Sequence, residues 1–360
     1  MRHRHRFSFL FGRAVALCGA LWGLSGCGLL GYQYAVVLGE LDLLSRAVPI
    51  EQALADPGLT PDQIAKLELV IRARDYGQEV VGLNVGNSYQ TFVNLHGRPL
   101  AWNLSASRKD RFEPYYWHLI IGPIPYLGFF EQSQAIRERD RLVSAGYDTV
   151  MYEIDAFSTL GRLPDPVTSA MLNREIGSLA DTVLHELTHN TISKFADTNF
   201  NETLATFVGR TAALDFLAFA FGPDDQVVVQ TRESNEDSDR LTAFLRTLYD
   251  ELNVLYGSDR SSDQKIAQRE GIVQAAQERF LEEILPQMHQ PEVFRVYGTL
   301  GINNAFLLLN IRYNDGLDVF EGIHELTGRN WGQTLSLFSQ AAARDDSIGF
   351  LRGVLAASGL

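Results

Sequence analysis

Two histidines and a glutamate stand at the spacing of a metal-binding helix in the middle of the chain. Residues 185–189 read His-Glu-Leu-Thr-His. Because residues four apart lie on one face of an α-helix, His185 and His189 can reach the same metal ion. Glu186 is rotated by about 100° from His185, which is enough to bring its carboxylate to a water bound on that ion. The pattern therefore predicts a metal-activated water with Glu186 as its general base.

A third protein ligand is needed, because catalytic zinc sites keep three protein ligands and one open position. Glu202 is the candidate, since it lies thirteen residues after His189, which leaves room for a turn and the start of a second helix. The alternative is that Asn201 and Glu202 cap that helix, a role that does not exclude ligation. A second His-Glu-Leu-Thr sequence begins at His324, but Gly328 stands where the second histidine should be. We therefore expect an exposed helix end there.

The elements that must position these residues follow from the hydrophobic pattern. Helical periodicity covers 174–195, a second apolar run covers 204–221, and the acidic stretch 222–240 is typical of a surface loop. The sequence predicts an α+β fold, with N-terminal helices and a small mixed sheet over 27–164 and a mostly helical body over 165–360 carrying the metal site. The other expected elements are helices over 32–47, 60–72 and 131–145, and strands over 91–93, 100–104, 117–121 and 149–154.

The first 26 residues have the composition of a bacterial lipoprotein signal peptide. Four arginines accompany a short apolar core from Ala14 to Leu24. The sequence Leu-Ser-Gly-Cys at 24–27 resembles the lipobox, which predicts a lipid on Cys27 and contact with a membrane through it. The alternative is an uncleaved membrane anchor with an incidental cysteine. Because Gly28 rather than an aspartate follows Cys27, the usual sorting rule predicts an outer-membrane protein that faces the periplasm.

The charge of the chain bears on its partners. The formal net charge is −13, and removal of residues 1–26 takes away four arginines and no acids. Such an acidic chain argues against nucleic acid as a partner. The other cysteine, Cys18, would leave with the signal peptide, so the mature chain would have no disulfide and its core must stabilise it.

Several segments resemble a bacterial family of predicted aminopeptidases, which are lipoprotein members of the glutamate-zincin group. The resemblance runs over most of the mature chain. Its segments are Gly26-Cys27 followed by Tyr32, 122–130 (Gly-Pro-Ile-Pro-Tyr-Leu-Gly-Phe-Phe), 146–148 (Gly-Tyr-Asp), 156–161 (Ala-Phe-Ser-Thr-Leu-Gly), 185–189, 197–198, 200–202 (Phe-Asn-Glu) with 205–208, and 303–305 (Asn-Asn-Ala) with Tyr313.

The resemblance implies a zincin-like peptidase with one zinc ion and a peptide substrate. It implies that His185, His189 and Glu202 hold the zinc and that Glu186 is the base. Related zincins use a tyrosine from a later helix to stabilise the oxyanion, a role that would fall to Tyr313; packing between helices is the alternative. Asn303 and Asn304 are two further candidates. They are either substrate-binding donors in the pocket or part of a polar helix face.

This chain also departs from the family pattern. The family usually has other residues where this chain has Thr188, Asn190 and Gly209, and it has a basic residue near Leu127, but none of these positions is a metal ligand. The Gly-x-Met-Glu-Asn segment with which well-known aminopeptidases of this clan bind a free amine is absent, so the direction of cleavage stays open.

Three further points are left open by the sequence. A non-catalytic envelope lipoprotein on a zincin scaffold and a metal-dependent amidase acting on cell-wall peptides remain alternatives. Metal-binding histidines usually need an acceptor behind them, and Asp181 or Asp197 are the candidates. The segment 152–161 is a candidate edge strand for pairing with a substrate backbone.

Overall fold

The computed structural model describes residues 29–119, 122–156, 159, 163–195, 197–314 and 316–359. The expected signal peptide and the lipidation site Cys27 therefore lie outside the described residues, as does most of 157–162. The described part combines helices with three small sheets.

Helices make up most of the described chain. Those of the N-terminal half are α1 (Leu29–Ser45), α2 (Ile50–Leu54), α3 (Pro61–Tyr76) and α4 (Gln132–Ser144). Those of the C-terminal half are α5 (Ile176–Thr191), α6 (Thr198–Phe221), α7 (Gln226–Tyr256), α8 (Ser262–Arg279), α9 (Pro291–Phe294), α10 (Asn304–Asn314), α11 (Leu317–Leu326), α12 (Trp331–Ala342) and α13 (Ser347–Ala357). The strands are β1 (Val48–Pro49), β2 (Thr91–Val93), β3 (Ala101–Arg108), β4 (Trp117–Leu119), β5 (Gly122–Ile124), β6 (Tyr126–Phe129), β7 (Tyr147–Ile154) and β8 (Val167–Thr168).

The sheet that matters for the site has the strand order β6-β3-β7, and both pairings are antiparallel. Ser105 on β3 lies opposite Tyr126 on β6, and Asn103 lies opposite Tyr152 on β7. Because opposed residues and residues two apart share a face, these four side chains project from the same side of the sheet. Helix α10 packs against β3 and β7.

Helices α5 and α6 form the centre of the largest hydrophobic core. The apolar stripe that the sequence predicts on α5 is buried, and it packs with Leu204, Phe207 and Val208 of α6. Gly209 permits a close crossing, since a Cβ atom there would clash with the Asp181 carboxylate and lie 3.0 Å from the Cβ of His185. The missing side chain therefore brings α6 against the histidine-bearing helix.

The acidic stretch 222–240 is not the surface loop that the sequence predicts. Helix α7 begins at Gln226, and its N-cap residue Asp225 accepts a hydrogen bond from the Val227 amide. Asp237 is fully buried and accepts hydrogen bonds from the backbone amides of His289 and Gln290. The polar residues thus form the outer face of a long helix and one buried cap for a distant turn, a role that their composition does not reveal.

The second His-Glu-Leu-Thr sequence also differs from its prediction. His324 belongs to α11 and is buried, with its ring 4.3 Å from the ring of Trp331. Its Nδ1 atom lies 2.9 Å from the hydroxyl oxygen of Thr334. Packing from α12 therefore covers a helix end that the sequence alone presents as exposed.

Helix α6 is, among the described residues, the helix long and apolar enough to span a membrane by length and composition alone. Half of its most apolar window is buried inside the protein, and core helices commonly pass the same test. Its second turn carries the charged residue Glu202 next to two histidines. The observed packing of α6 is that of a central core helix.

Candidate metal centre

Helix α5 presents both predicted histidines on one face. The side chains of His185 and His189 are 16% and 10% exposed, and their ring centroids are 5.0 Å apart. The burial of Leu184 and Leu187 against the core fixes the rotation of the helix, because the apolar stripe must face inward. The two imidazoles consequently point together toward the start of α6.

Glu202 completes the group from the second turn of α6. Its Oε2 atom lies 3.5 Å from Nε2 of His185 and 3.6 Å from Nε2 of His189. Ligand atoms about 2.1 Å from a tetrahedral zinc ion are separated by about 3.4 Å, so the observed spacing fits one shared ion. Within the described chain these three side chains form a group that could hold a metal ion, with ligand atoms within 4.8 Å of one another.

The electrostatics of the group favour a bound cation. Burial raises the pKa of Glu202, but hydrogen bonds from both histidines outweigh it and hold that pKa well below its ordinary value. Burial lowers the pKa of His185, yet the contact with Glu202 and the charge of Glu186 raise it to about 9. A proton on His185 therefore balances the charge of the Glu202 carboxylate when no metal is bound, and metal binding would displace that proton.

Glu186 is half-buried one residue after the first histidine. Burial raises the pKa of its carboxyl group, and positive charge on His185 and His189 partly offsets this effect. A carboxylate with a raised pKa is a better proton acceptor near neutral pH. The geometry and the electrostatics thus suit the role of general base that the sequence predicts for it.

Tyr313 comes to the group from α10, more than a hundred residues later in the chain. Its ring stacks beside that of His185, with centroids 6.3 Å apart. Burial and the nearby Glu202 carboxylate raise the pKa of Tyr313 well above its ordinary value. The hydroxyl group therefore stays protonated and can donate a hydrogen bond, as the expected oxyanion donor must.

The two candidates for the acceptor behind the histidines have different positions. Asp181 lies one turn before His185 on α5. Burial raises the pKa of its carboxyl group, and positive charge on His185 and Arg210 offsets only part of this increase. Asp197 instead caps α6 by accepting from the Phe200 amide and pairs with Lys194 at 3.1 Å. The N-cap of α6 is thus Asp197 and not Asn201, and Asp181 is the carboxylate next to the metal group.

The two asparagines proposed as pocket donors serve the fold. Asn303 donates to the Thr149 carbonyl and accepts from the Phe306 amide at the start of α10. Asn304 is buried, accepts from the Tyr256 hydroxyl and donates to the Arg108 carbonyl. The structure brings Tyr313 to the metal group but commits both asparagine amides to hydrogen bonds elsewhere.

Three residues that the sequence does not single out lie beside Tyr313. Tyr126 from β6 and Tyr152 from β7 are close enough for the Glu202 carboxylate to raise the pKa of each, in addition to the larger effect of burial. Arg312 of α10 places its guanidinium over the Tyr126 ring, 5.4 Å from the centroid. The motif-like segment 122–130 was the available signal for Tyr126, and the candidate edge strand 152–161 was that for Tyr152, whereas Arg312 had none.

Together His185, His189 and Glu202 could hold a metal ion, and the Glu186 carboxylate lies beside them; metal-dependent hydrolases use such an arrangement. The chain belongs to the family described as "Putative aminopeptidase", whose model matches residues 31–347. That description indicates a hydrolase that acts on peptides. No curated protein and no solved structure matches the chain.

Proposed function

We propose that this protein is a zinc-dependent peptidase of zincin type. The observation that carries the proposal is the convergence of His185, His189 and Glu202 on one point, with Glu186 beside them. A purely structural zinc site is closed by four protein ligands and needs no adjacent base. Three ligands and a half-buried glutamate match a catalytic site better.

The residues of the chain divide the chemistry among them. Zinc, when bound, supplies a Lewis acid that polarises the scissile carbonyl and lowers the pKa of a water. Glu186 accepts the proton of the attacking water and passes it to the leaving amine. Tyr313 donates a hydrogen bond to the carbonyl oxygen as negative charge develops on it. Asp181, one turn before His185 on α5, supplies a negative charge beside that imidazole.

A strand edge supports a peptide as the substrate. Strand β7 pairs with β3 on one side and ends its sheet in the strand order given above. Such an edge can pair with an extended peptide backbone. It carries Tyr152, which lies near Tyr313 and the metal group. This edge overlaps the start of the segment 152–161 that the sequence suggests for that role.

Metal content and peptide cleavage should depend on each other. We expect purified mature protein to bind one zinc ion per chain and to cleave components of a mixed peptide library. A chelator should abolish cleavage, and added zinc should restore it. The measurements are elemental analysis and mass spectrometry of the library before and after treatment. Stoichiometric zinc with no cleavage would favour the non-catalytic envelope lipoprotein, and absence of a stoichiometric transition metal after zinc reconstitution would refute the metal site.

We also propose that the protein is lipid-anchored in the bacterial envelope, at the outer membrane facing the periplasm. The lipobox-like sequence at 24–27 motivates this, and α1 adds support. Tyr34, Val37, Leu38 and Leu41 of α1 are all about half exposed. Their spacing of three and four residues places them on one face. An apolar face a few residues after Cys27 suits a helix that lies against a membrane.

Substitution of the lipidation site tests this anchor. Cys27→Ser should leave the N-terminus without lipid and move the protein from the membrane fraction to the soluble fraction. Mass spectrometry of the N-terminal peptide and fractionation of cells measure the two effects. An unmodified wild-type N-terminus together with unchanged partition of the variant would refute the anchor without affecting the proposed peptidase activity.

A further inference from the structure

Arg312 is a buried cation that lies over the Tyr126 ring but forms no ion pair within the described part of the chain. The residue is 4% exposed, and its Nε and Nη1 atoms have no hydrogen-bond partner in the described part of the chain. Its backbone carbonyl accepts from the Thr203 hydroxyl, which fastens this turn of α10 to α6. The backbone of Arg312 is therefore held in place, while two nitrogens of its guanidinium have no hydrogen-bond partner among the described residues.

The other arginine that is buried among the described residues, Arg269, is paired. Arg269 is 8% exposed and contacts both carboxylate oxygens of Asp148, at 2.6 and 3.1 Å. Arg174, whose side chain is 37% exposed, also contacts both oxygens of an aspartate, Asp155, at 2.6 and 2.8 Å. Arg312 forms no ion pair with any described residue, and an unpaired buried charge is costly. The cost is offset if a ligand supplies the missing anion.

Arg312 is one of the residues that line a cavity of about 200 Å³. Its other lining residues include Thr198 and Asn199, the first two residues of α6, and Pro114, Pro123 and Pro125. The start of a long helix favours negative charge through its free amides and its dipole. Asp197 also lines the cavity, but Lys194 pairs with it at 3.1 Å. The lining of the cavity thus suits an anionic group that has an apolar group beside it.

This cavity adjoins the metal group through two chain neighbours. Arg312 directly precedes Tyr313 on α10, and Asn199 lies one turn before Glu202 on α6. We propose that Arg312 binds a carboxylate of the peptide substrate and so selects peptides that carry one close to the scissile bond. The proposal rests on the peptidase function proposed above, and it names the substrate class of that same site.

Two groups of a peptide could supply this carboxylate. One is the free C-terminus, which would make the enzyme cleave near that end, and the other is the side chain of aspartate or glutamate. Both offer two oxygens to the planar guanidinium, which an arginine can bind in bidentate fashion.

Zinc itself binds carboxylates, so the contribution of Arg312 to peptide binding must be measured on metal-free protein. Titration calorimetry on chelator-treated wild-type protein would compare three tripeptides. They are a neutral one with a free C-terminus, its C-terminal amide, and an amide that contains one glutamate. We expect one of the two carboxylate peptides to bind about tenfold more tightly than the neutral amide, or more. The tighter one identifies which carboxylate is bound. Equal affinity of all three peptides would overturn the proposal without need of any variant.

Substitution then ties the preference to the residue. Arg312→Lys keeps the positive charge but loses the planar pair of N–H donors that binds both carboxylate oxygens. Most of the preference for the carboxylate peptide should therefore disappear. Arg269→Lys is the matched control: it changes an equally buried but paired arginine and should leave the preference intact. Circular dichroism confirms that both variants are folded. A preference that persists at full size in Arg312→Lys, or that falls equally in Arg269→Lys, contradicts the proposal. Failure of zinc-loaded wild type to cleave any peptide would refute the peptidase function and leave the binding result readable on its own.

Discussion

Glu186→Gln should leave zinc binding intact and reduce peptide hydrolysis by about a hundredfold or more. The substitution preserves the shape of the side chain and removes the group that accepts the proton of the attacking water, and loss of a general base typically has an effect of this size. Glu186 is not one of the three converging ligands, so metal affinity should not change. The loss should appear in kcat, with elemental analysis showing one zinc per chain.

The second His-Glu-Leu-Thr sequence offers a matched control for this variant. Glu325 follows His324 as Glu186 follows His185, but it is exposed and pairs with Arg329 at 2.7 Å. Glu325→Gln should therefore leave both zinc content and hydrolysis at the wild-type level. Retention of more than a tenth of the activity by Glu186→Gln would mean that another group activates the water.

The metal group was accessible from sequence because its parts obey local rules. The four-residue spacing of His185 and His189 fixes their common face once the helix exists, and the apolar stripe predicts that helix. Glu202 was accessible because it lies shortly after the second histidine, at the start of another apolar run. The structure places all three within reach of one ion.

The other parts of the site depend on contacts between distant segments. Tyr126, Tyr152 and Arg312 meet because β6, β3 and β7 align in one sheet and α10 packs on it. No local pattern encodes that register. Asn303 and Asn304 show the converse, since polar residues near a predicted site can satisfy backbone groups of the fold instead.

The main error in the predicted secondary structure concerns one long helix with a polar face. The sequence 222–240 has few apolar residues, and composition alone favours a loop. In the structure Arg240 pairs with Asp237 at 3.0 Å, and the Asp225 cap starts the helix. Contacts three and four residues apart and burial of Val228 and Leu241 stabilise a helix that its average polarity conceals.

Glu202→Gln should lose zinc first and activity only as a consequence. A neutral amide oxygen replaces a charged ligand, while both imidazoles remain in place. The affinity of the site for metal should therefore fall, and the affinity of the two imidazoles for protons should change as well. Glu202 is 7% exposed, and its Oε2 atom lies 3.5 and 3.6 Å from the Nε2 atoms of the two histidines. A carboxylate ion from the buffer therefore cannot readily take its place. Equilibrium dialysis against buffered zinc measures the affinity, and hydrolysis is followed in parallel.

Excess zinc distinguishes the two glutamates. It should partly restore hydrolysis in Glu202→Gln, because the base is intact and only occupancy is low, and it should leave Glu186→Gln inactive. If Glu202→Gln binds zinc as tightly as wild type, or if both variants lose zinc equally, Glu202 is not the third ligand. Asp197 could not then take over without rearrangement, because its carboxylate already caps α6 and pairs with Lys194. Asp181, which adjoins His185 from the same helix, would be the carboxylate to substitute next.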